Sequence, residues 1–103
     1  MGGGQKTGND TPAVVRAIAA IRQELTRLYS VRRIGVFGSC ARGEESPQRD
    51  ADVIVELAEP TFDNYMDLKF HLEEVLQRPV DLVMADTVKP RLRPIIEQEA
   101  VYT

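Results

Sequence analysis

A single cysteine, Cys40, leaves this chain without the means for an internal disulfide framework. Long apolar runs are missing as well, and so is a secretory leader, which argues against a membrane-spanning helix and makes the cytoplasm the expected compartment. Basic residues are in short supply: 13 Lys and Arg stand against 16 Asp and Glu, for a net charge of −3 and a pI near 5.1. Gripping nucleic acid unaided takes clustered Lys and Arg, so the mixed charge is expected to serve solubility and no direct nucleic-acid binding is expected. No internal repeat or extended low-complexity tract is visible, and His71 is the only histidine. What the chain does have is 103 residues with 43% apolar content, enough for one core and not for two. A single domain over residues 11–103 is expected. The lead at 1–10, with Gly2, Gly3, Gly4 and Gly8, has little to bury and reads as disordered, in part with the composition of an expression tag.

Thr11-Pro12 fits a helix start, a hydroxyl cap followed by proline at the first helical position. Val14, Ile18, Ile21, Leu25 and Leu28 then recur at spacings of four and three, giving one apolar face on a helix to about Tyr29. Two heptads are short for a coiled coil, so this face is expected to pack on the domain's own sheet rather than form a dimer seam.

The chain is organised around Ile34 to Glu56. Ile34, Val36 and Phe37 read as a buried strand ending at Gly38-Ser39, and Cys40 to Glu45 can make a short helical turn. A turn that begins there points backbone N–H groups outward, and a small residue lets a phosphate come close. Ten residues after Ser39, Asp50 and Asp52 head an apolar run, Val53-Ile54-Val55, that reads as a second strand. Positions i and i+2 of a strand share a face, so these carboxylates stand side by side and repel. A hard divalent cation such as Mg²⁺, which prefers oxygen ligands, relieves that repulsion. Ala51 points the other way, into packing.

Beyond the loop at Pro60, Tyr65, Leu68, Leu72, Val75 and Leu76 form the apolar side of a helix from about Phe62 to Gln77, of a length that suits a crossover between strands. Pro79 leads into a third strand, Val80 to Met84, whose Asp81 is either an exposed strand end or a functional carboxylate. If Asp81 is the functional carboxylate, as the family resemblance given below implies, gathering it with Asp50 and Asp52 beside the Gly-Ser corner requires the first strand antiparallel to the second and the second parallel to the third. The expected fold is therefore α/β, a small mixed sheet with flanking helices, the first and the last helix packed on it. That last helix is expected over roughly Arg91 to Glu99, with a later start allowed by Pro94 in its first turn. Lys89, Arg91 and Arg93 form a basic cluster expected to be a solvated face, the alternative being contact with a nucleotide or an acidic partner.

Gly38-Ser39, ten intervening residues and Asp50-Ala51-Asp52 together resemble the GS-x10-DxD signature of nucleotidyltransferases related to DNA polymerase β. Four fixed residues at fixed spacing arise by chance in roughly one to two chains per thousand of this length. Within that superfamily the chain resembles the minimal nucleotidyltransferases, the MNT antitoxins found beside HEPN toxins in prokaryotes. The resemblance covers almost the whole domain. It rests on Gly38 through Glu44, on Asp50-Ala51-Asp52 followed by Val53 to Glu56, on Val80-Asp81-Leu82-Val83, and on Lys89-Pro90-Arg91 through Glu99-Ala100-Val101-Tyr102. Cys40 stands where the family often has a larger residue and Ala51 replaces a usual branched aliphatic; neither touches the signature.

The resemblance implies the polymerase β-like fold and transfer of AMP from ATP to an acceptor hydroxyl, with release of pyrophosphate. It further implies that Asp50 and Asp52 bridge two Mg²⁺ ions, that Asp81 is the third carboxylate, and that Gly38, Ser39 and Arg42 bind the nucleotide's phosphates. The acceptor implied is a tyrosine of a HEPN RNase toxin, which AMP silences; with no acceptor domain in so short a chain, the acceptor must bring its own binding surface. The Arg-x4-His pattern of that RNase is absent here. His71 is expected as a surface residue on the polar side of its helix, and Cys40 as a small filler near the corner. Two rival readings stand beside this one: an antitoxin that neutralises its toxin by binding alone, and nucleotidyl transfer to a small molecule.

Overall fold

Apolar spacing of three and four over Val14–Leu25, and again over Leu68–Leu76, gives apolar helical faces, and alternation in the central strands gives them one sheet face to cover as a single layer. The computed structural model describes residues 12–42 and 50–103. The expected disordered lead, the Thr11 cap and the Gly43–Glu45 end of the expected helical turn lie outside the described residues.

Among the described residues there are four helices: α1 (Ala13–Ala20), α2 (Arg22–Tyr29), α3 (Phe62–Leu76) and α4 (Arg93–Glu99). Four strands, β1 (Val31–Phe37), β2 (Ala51–Leu57), β3 (Val80–Met84) and β4 (Val101–Tyr102), form one sheet in the order β3-β2-β1-β4. β1 is antiparallel to β2 and to β4, and β2 is parallel to β3. The mixed sheet required to gather the carboxylates is the one observed.

One face of the sheet, carrying Ile34, Val36, Val53, Val55, Val80 and Leu82, packs against Val14, Ile18 and Leu25 of α1 and α2 and against Leu68 and Leu72 of α3. Full burial of each such side chain contributes about 1.5–3 kcal/mol. Cys40 and Ala51 are buried in the same core, so the cysteine is a filler and the alanine does face packing.

Some details differ from the sequence-based expectation. The first helix is two: Ile21 leaves the helical range at φ −113, ψ 14, its N–H bonded to the Ile18 carbonyl at 3.1 Å. That tight turn changes the phase of α2, so Leu25 stays in the core while Leu28, which the unbroken spacing put on the apolar face, is 46% exposed. Pro12 is accordingly the cap rather than the first helical residue. α4 begins at Arg93 with its proline in the first turn, and it lies against the sheet with Ile96 and Glu97 half-buried and none of its residues fully buried. The last residues form a strand: Val101 and Tyr102 pair with Val36 and Gly35, and the Thr103 N–H donates to the Ile34 carbonyl at 3.0 Å. Two residues are too few to carry a legible alternation.

His71 is half-buried rather than a plain surface residue: its Nδ1 lies 2.8 Å from the Tyr29 hydroxyl, which ties α3 to the end of α2. The outer edge of β3 is closed by side chains. Glu73 accepts from the Val80 N–H at 3.0 Å, Tyr65 donates to the Leu82 carbonyl at 2.6 Å and Thr87 to the Met84 carbonyl at 2.9 Å. A strand edge occupied in this way is blunted against pairing with another chain.

Candidate active site

The second face of the sheet carries the chemistry. Strand alternation puts Asp52, Ile54 and Glu56 of β2 on it, and the registers add Phe37, Gly35 and Arg33 from β1 and Asp81 and Val83 from β3. Asp52 pairs with Phe37 on one side and with Asp81 on the other, so the two carboxylates stand abreast on neighbouring parallel strands. An Ala51 N–H to Pro79 carbonyl bond of 2.9 Å pins the starts of β2 and β3 together, which holds Asp50 at the same end. Asp50 and Asp81 are exposed, whereas Asp52 is half-buried between them. Phe37, expected in the core, is half-buried on this face instead, because the period of two that buries Ile34 and Val36 turns it the other way.

The corner beside Asp52 is shaped by Gly38. Its φ of +72 lies in the left-handed region, and a Cβ there would collide with the Asp52 Oδ2 and come within 3.4 Å of its Cγ. Glycine is thus required twice, by the turn and by the carboxylate next to it. Gly38–Cys40 then form a 3₁₀ turn closed by the Ala41 N–H to the Gly38 carbonyl at 3.1 Å, in place of the start of the helical turn expected from Cys40. Ser39 lies inside that turn and Arg42 is exposed just after it.

Electrostatics single out Asp52. Partial burial pushes its carboxyl above the ordinary range, and the nearby charges of Asp81 and then Asp50 push it further the same way. The structure therefore brings Gly38, Asp50, Asp52 and Asp81 to one end of the sheet. A cavity of about 590 Å³ lies elsewhere: Phe62, Tyr65, Leu82, Met84 and Thr87 line it, along the closed edge of β3 and toward its far end.

Sequence reasoning missed the other occupants of this face. Tyr102 of β4 lays its ring against the Gly35 Cα, where an added Cβ would sit 2.8 Å from Tyr102 Cδ1. The Arg33 guanidinium stacks 4.2 Å from the centre of that ring, and the Tyr102 hydroxyl donates to Glu97 at 2.8 Å. A glycine in mid-strand was the available signal, since it marks a close approach by another group.

A paired-carboxylate face, a glycine corner and this strand order define the nucleotidyl-transfer class of fold, and comparison with known proteins agrees. The nucleotidyltransferase domain model matches residues 18–103. Protein adenylyltransferase MntA of Thermococcus cleftensis is 37% identical over 86 residues, covering 82% of this chain and 87% of its own. A solved structure described as a candidate minimal nucleotidyltransferase superposes with a TM-score of 0.69 at 34% identity, covering 84% of this chain and 93% of that one. A chain of the Shewanella oneidensis complex between a tri-AMPylated HEPN toxin and an MNT antitoxin shares the fold, with a TM-score of 0.61 at 19% identity over 86% of this chain and 67% of that one. This chain belongs to the nucleotidyltransferase domain family, in its minimal form. No helix among the described residues is long and apolar enough to cross a membrane.

Proposed function

We propose that this chain is a Mg²⁺-dependent adenylyltransferase that moves AMP from ATP to a tyrosine hydroxyl of a HEPN-type toxin and so acts as its antitoxin, in the cytoplasm. The observation that carries the reading is the registration of Asp52 opposite Asp81 beside the Gly38 corner. The Thermococcus relative's name supports the reaction, and the Shewanella complex, an AMPylated toxin with its antitoxin, supports the kind of acceptor.

The donor set fits Mg²⁺: it is carboxylate only, and its middle member is pushed toward neutrality by partial burial and then by its neighbours' charge, which a cation would offset. Among the described residues no three His, Cys, Asp or Glu side chains converge tightly enough to hold an ion by themselves. Mg²⁺ is ordinarily held by one or two carboxylates, with phosphate oxygens and water completing the shell, so the fit is to ions that arrive with a nucleotide. Asp50, Asp52 and Asp81 would hold two such ions, which supply charge neutralisation on the phosphates and lower the pKa of the attacking hydroxyl. The chain's own residues position the rest. Gly38 leaves room for Asp52, while backbone N–H groups of the turn, the Ser39 hydroxyl and Arg42 bind the outgoing phosphates.

Intact-mass measurement of the proposed HEPN-type partner protein, after incubation with this chain, ATP and Mg²⁺, tests the reading. The expected result is mass added in steps of one AMP, and none with Asp50→Ala/Asp52→Ala. Tight binding without added mass, with the variant neutralising the toxin as well as the wild type, would replace transfer by binding.

A further inference from the structure

β3 and β4 lie at opposite edges of the sheet, so the chain between them must cross it. It crosses on the carboxylate face: Glu97 of α4 is bonded to Tyr102 at 2.8 Å and lies 3.6 Å from Arg33, and both partners belong to that face. The crossing delivers β4 with Val101 opposite Val36, one residue before the Phe37–Asp52 pair. α4 thus ends beside the candidate active site.

This helix is anchored but uncovered. From the sheet, Tyr102 bonds to Glu97 and Arg33 pairs with it, while Arg93 approaches it from within the same helix. Yet none of its residues is buried, and Ile95 and Leu92 are 56% and 44% exposed. Next to these side chains stand Lys89 and Arg91, both exposed and without an ion-pair partner among the described residues, in a chain whose net charge is −3. An apolar strip bordered by cations that have no ion-pair partner among the described residues, against the sign of the whole molecule, is complementary to an apolar segment that carries carboxylates.

We propose that Lys89–Ile95 is the surface on which the acceptor protein docks, through an acidic segment that lays aliphatic side chains on Leu92 and Ile95 and carboxylates near Lys89 and Arg91. The proposal rests on the adenylyltransferase reading and adds where the acceptor is held. Because α4 is already fixed, docking does not have to order it, which lowers the entropic cost of binding.

The test is titration calorimetry of the proposed HEPN-type partner protein against wild type, Leu92→Asp/Ile95→Asp, Lys89→Glu/Arg91→Glu and Asp50→Ala/Asp52→Ala, with circular dichroism as the folding control. Both surface variants should bind at least about tenfold more weakly while the carboxylate variant binds as the wild type does. Added salt should weaken the wild type and have much less effect on the charge-reversed variant. Folded surface variants that bind with wild-type affinity would overturn the docking surface and leave the transfer reading intact. A wild type that neither binds nor modifies the HEPN protein would overturn both. Loss of self-association, or of binding to a fluorescent oligonucleotide, with HEPN binding retained would assign the surface to a second copy or to nucleic acid and overturn the proposal.

Discussion

Asp52 and Asp81 stand opposite one another in the parallel ladder of β2 and β3, one half-buried and the other exposed. Backbone hydrogen bonds hold the strands that carry these two like charges abreast, so part of their repulsion is built into the fold until a cation or a proton relieves it.

Removing one of these charges should stabilise the protein. Asp52 has a folded-state pKa above its unfolded value, so its ionised form opposes folding at neutral pH. Asp52→Asn should therefore show a higher thermal midpoint than wild type in a chelating buffer at pH 7. The gap should narrow as pH falls through the folded pKa of Asp52 and close below its unfolded value of about 4. Mg²⁺ with a non-hydrolysable ATP analogue should raise the wild-type midpoint more than that of the variant. Scanning calorimetry across pH checks all three, and an equal or lower midpoint for the variant at pH 7 would contradict the account.

Gly38→Ala should cost both stability and activity. The left-handed backbone costs an L-residue about 1–2 kcal/mol, and the new methyl would displace the Asp52 carboxylate it meets. Urea denaturation should register the first effect. The second should exceed what the loss of folded protein explains, by about a hundredfold in transfer rate.

Gly35→Ala should destabilise by about 1–3 kcal/mol, because its Cβ enters the space of a ring pinned between Arg33 and Glu97. Combining it with Tyr102→Ala should recover part of that loss, and a double-mutant cycle on denaturation midpoints measures the coupling. Additive costs would mean that the two residues do not compete for space.

Much of this was legible in the sequence because the residues that make the site are also the ones that punctuate the chain. Gly38 ends a strand, Asp50 and Asp52 head one, and Pro79 precedes the strand that carries Asp81. Placing three carboxylates at one end, as the family resemblance implies, then sets the relative directions of three strands, and those directions are the ones observed. What was not legible depends on tertiary contact. The break at Ile21 has no proline or glycine to announce it, so Leu28 was assigned to the wrong face. β4 is two residues long and exists because Tyr102 fits over Gly35. α4 carries two adjacent isoleucines, and only the structure shows that Ile95 is left exposed while Ile96 is half-buried.

Transfer of a nucleotidyl group, rather than of a phosphoryl group, is the central claim, and ATP labelled at either the α- or the γ-phosphate distinguishes them. With Mg²⁺ and the HEPN protein, the α-label should enter the acceptor and the γ-label should leave as pyrophosphate. Asp81→Asn should slow incorporation by about a thousandfold, the equivalent of several kcal/mol of charge stabilisation. Incorporation of the γ-label, or α-label incorporation that Asp81→Asn leaves unchanged, would contradict the account.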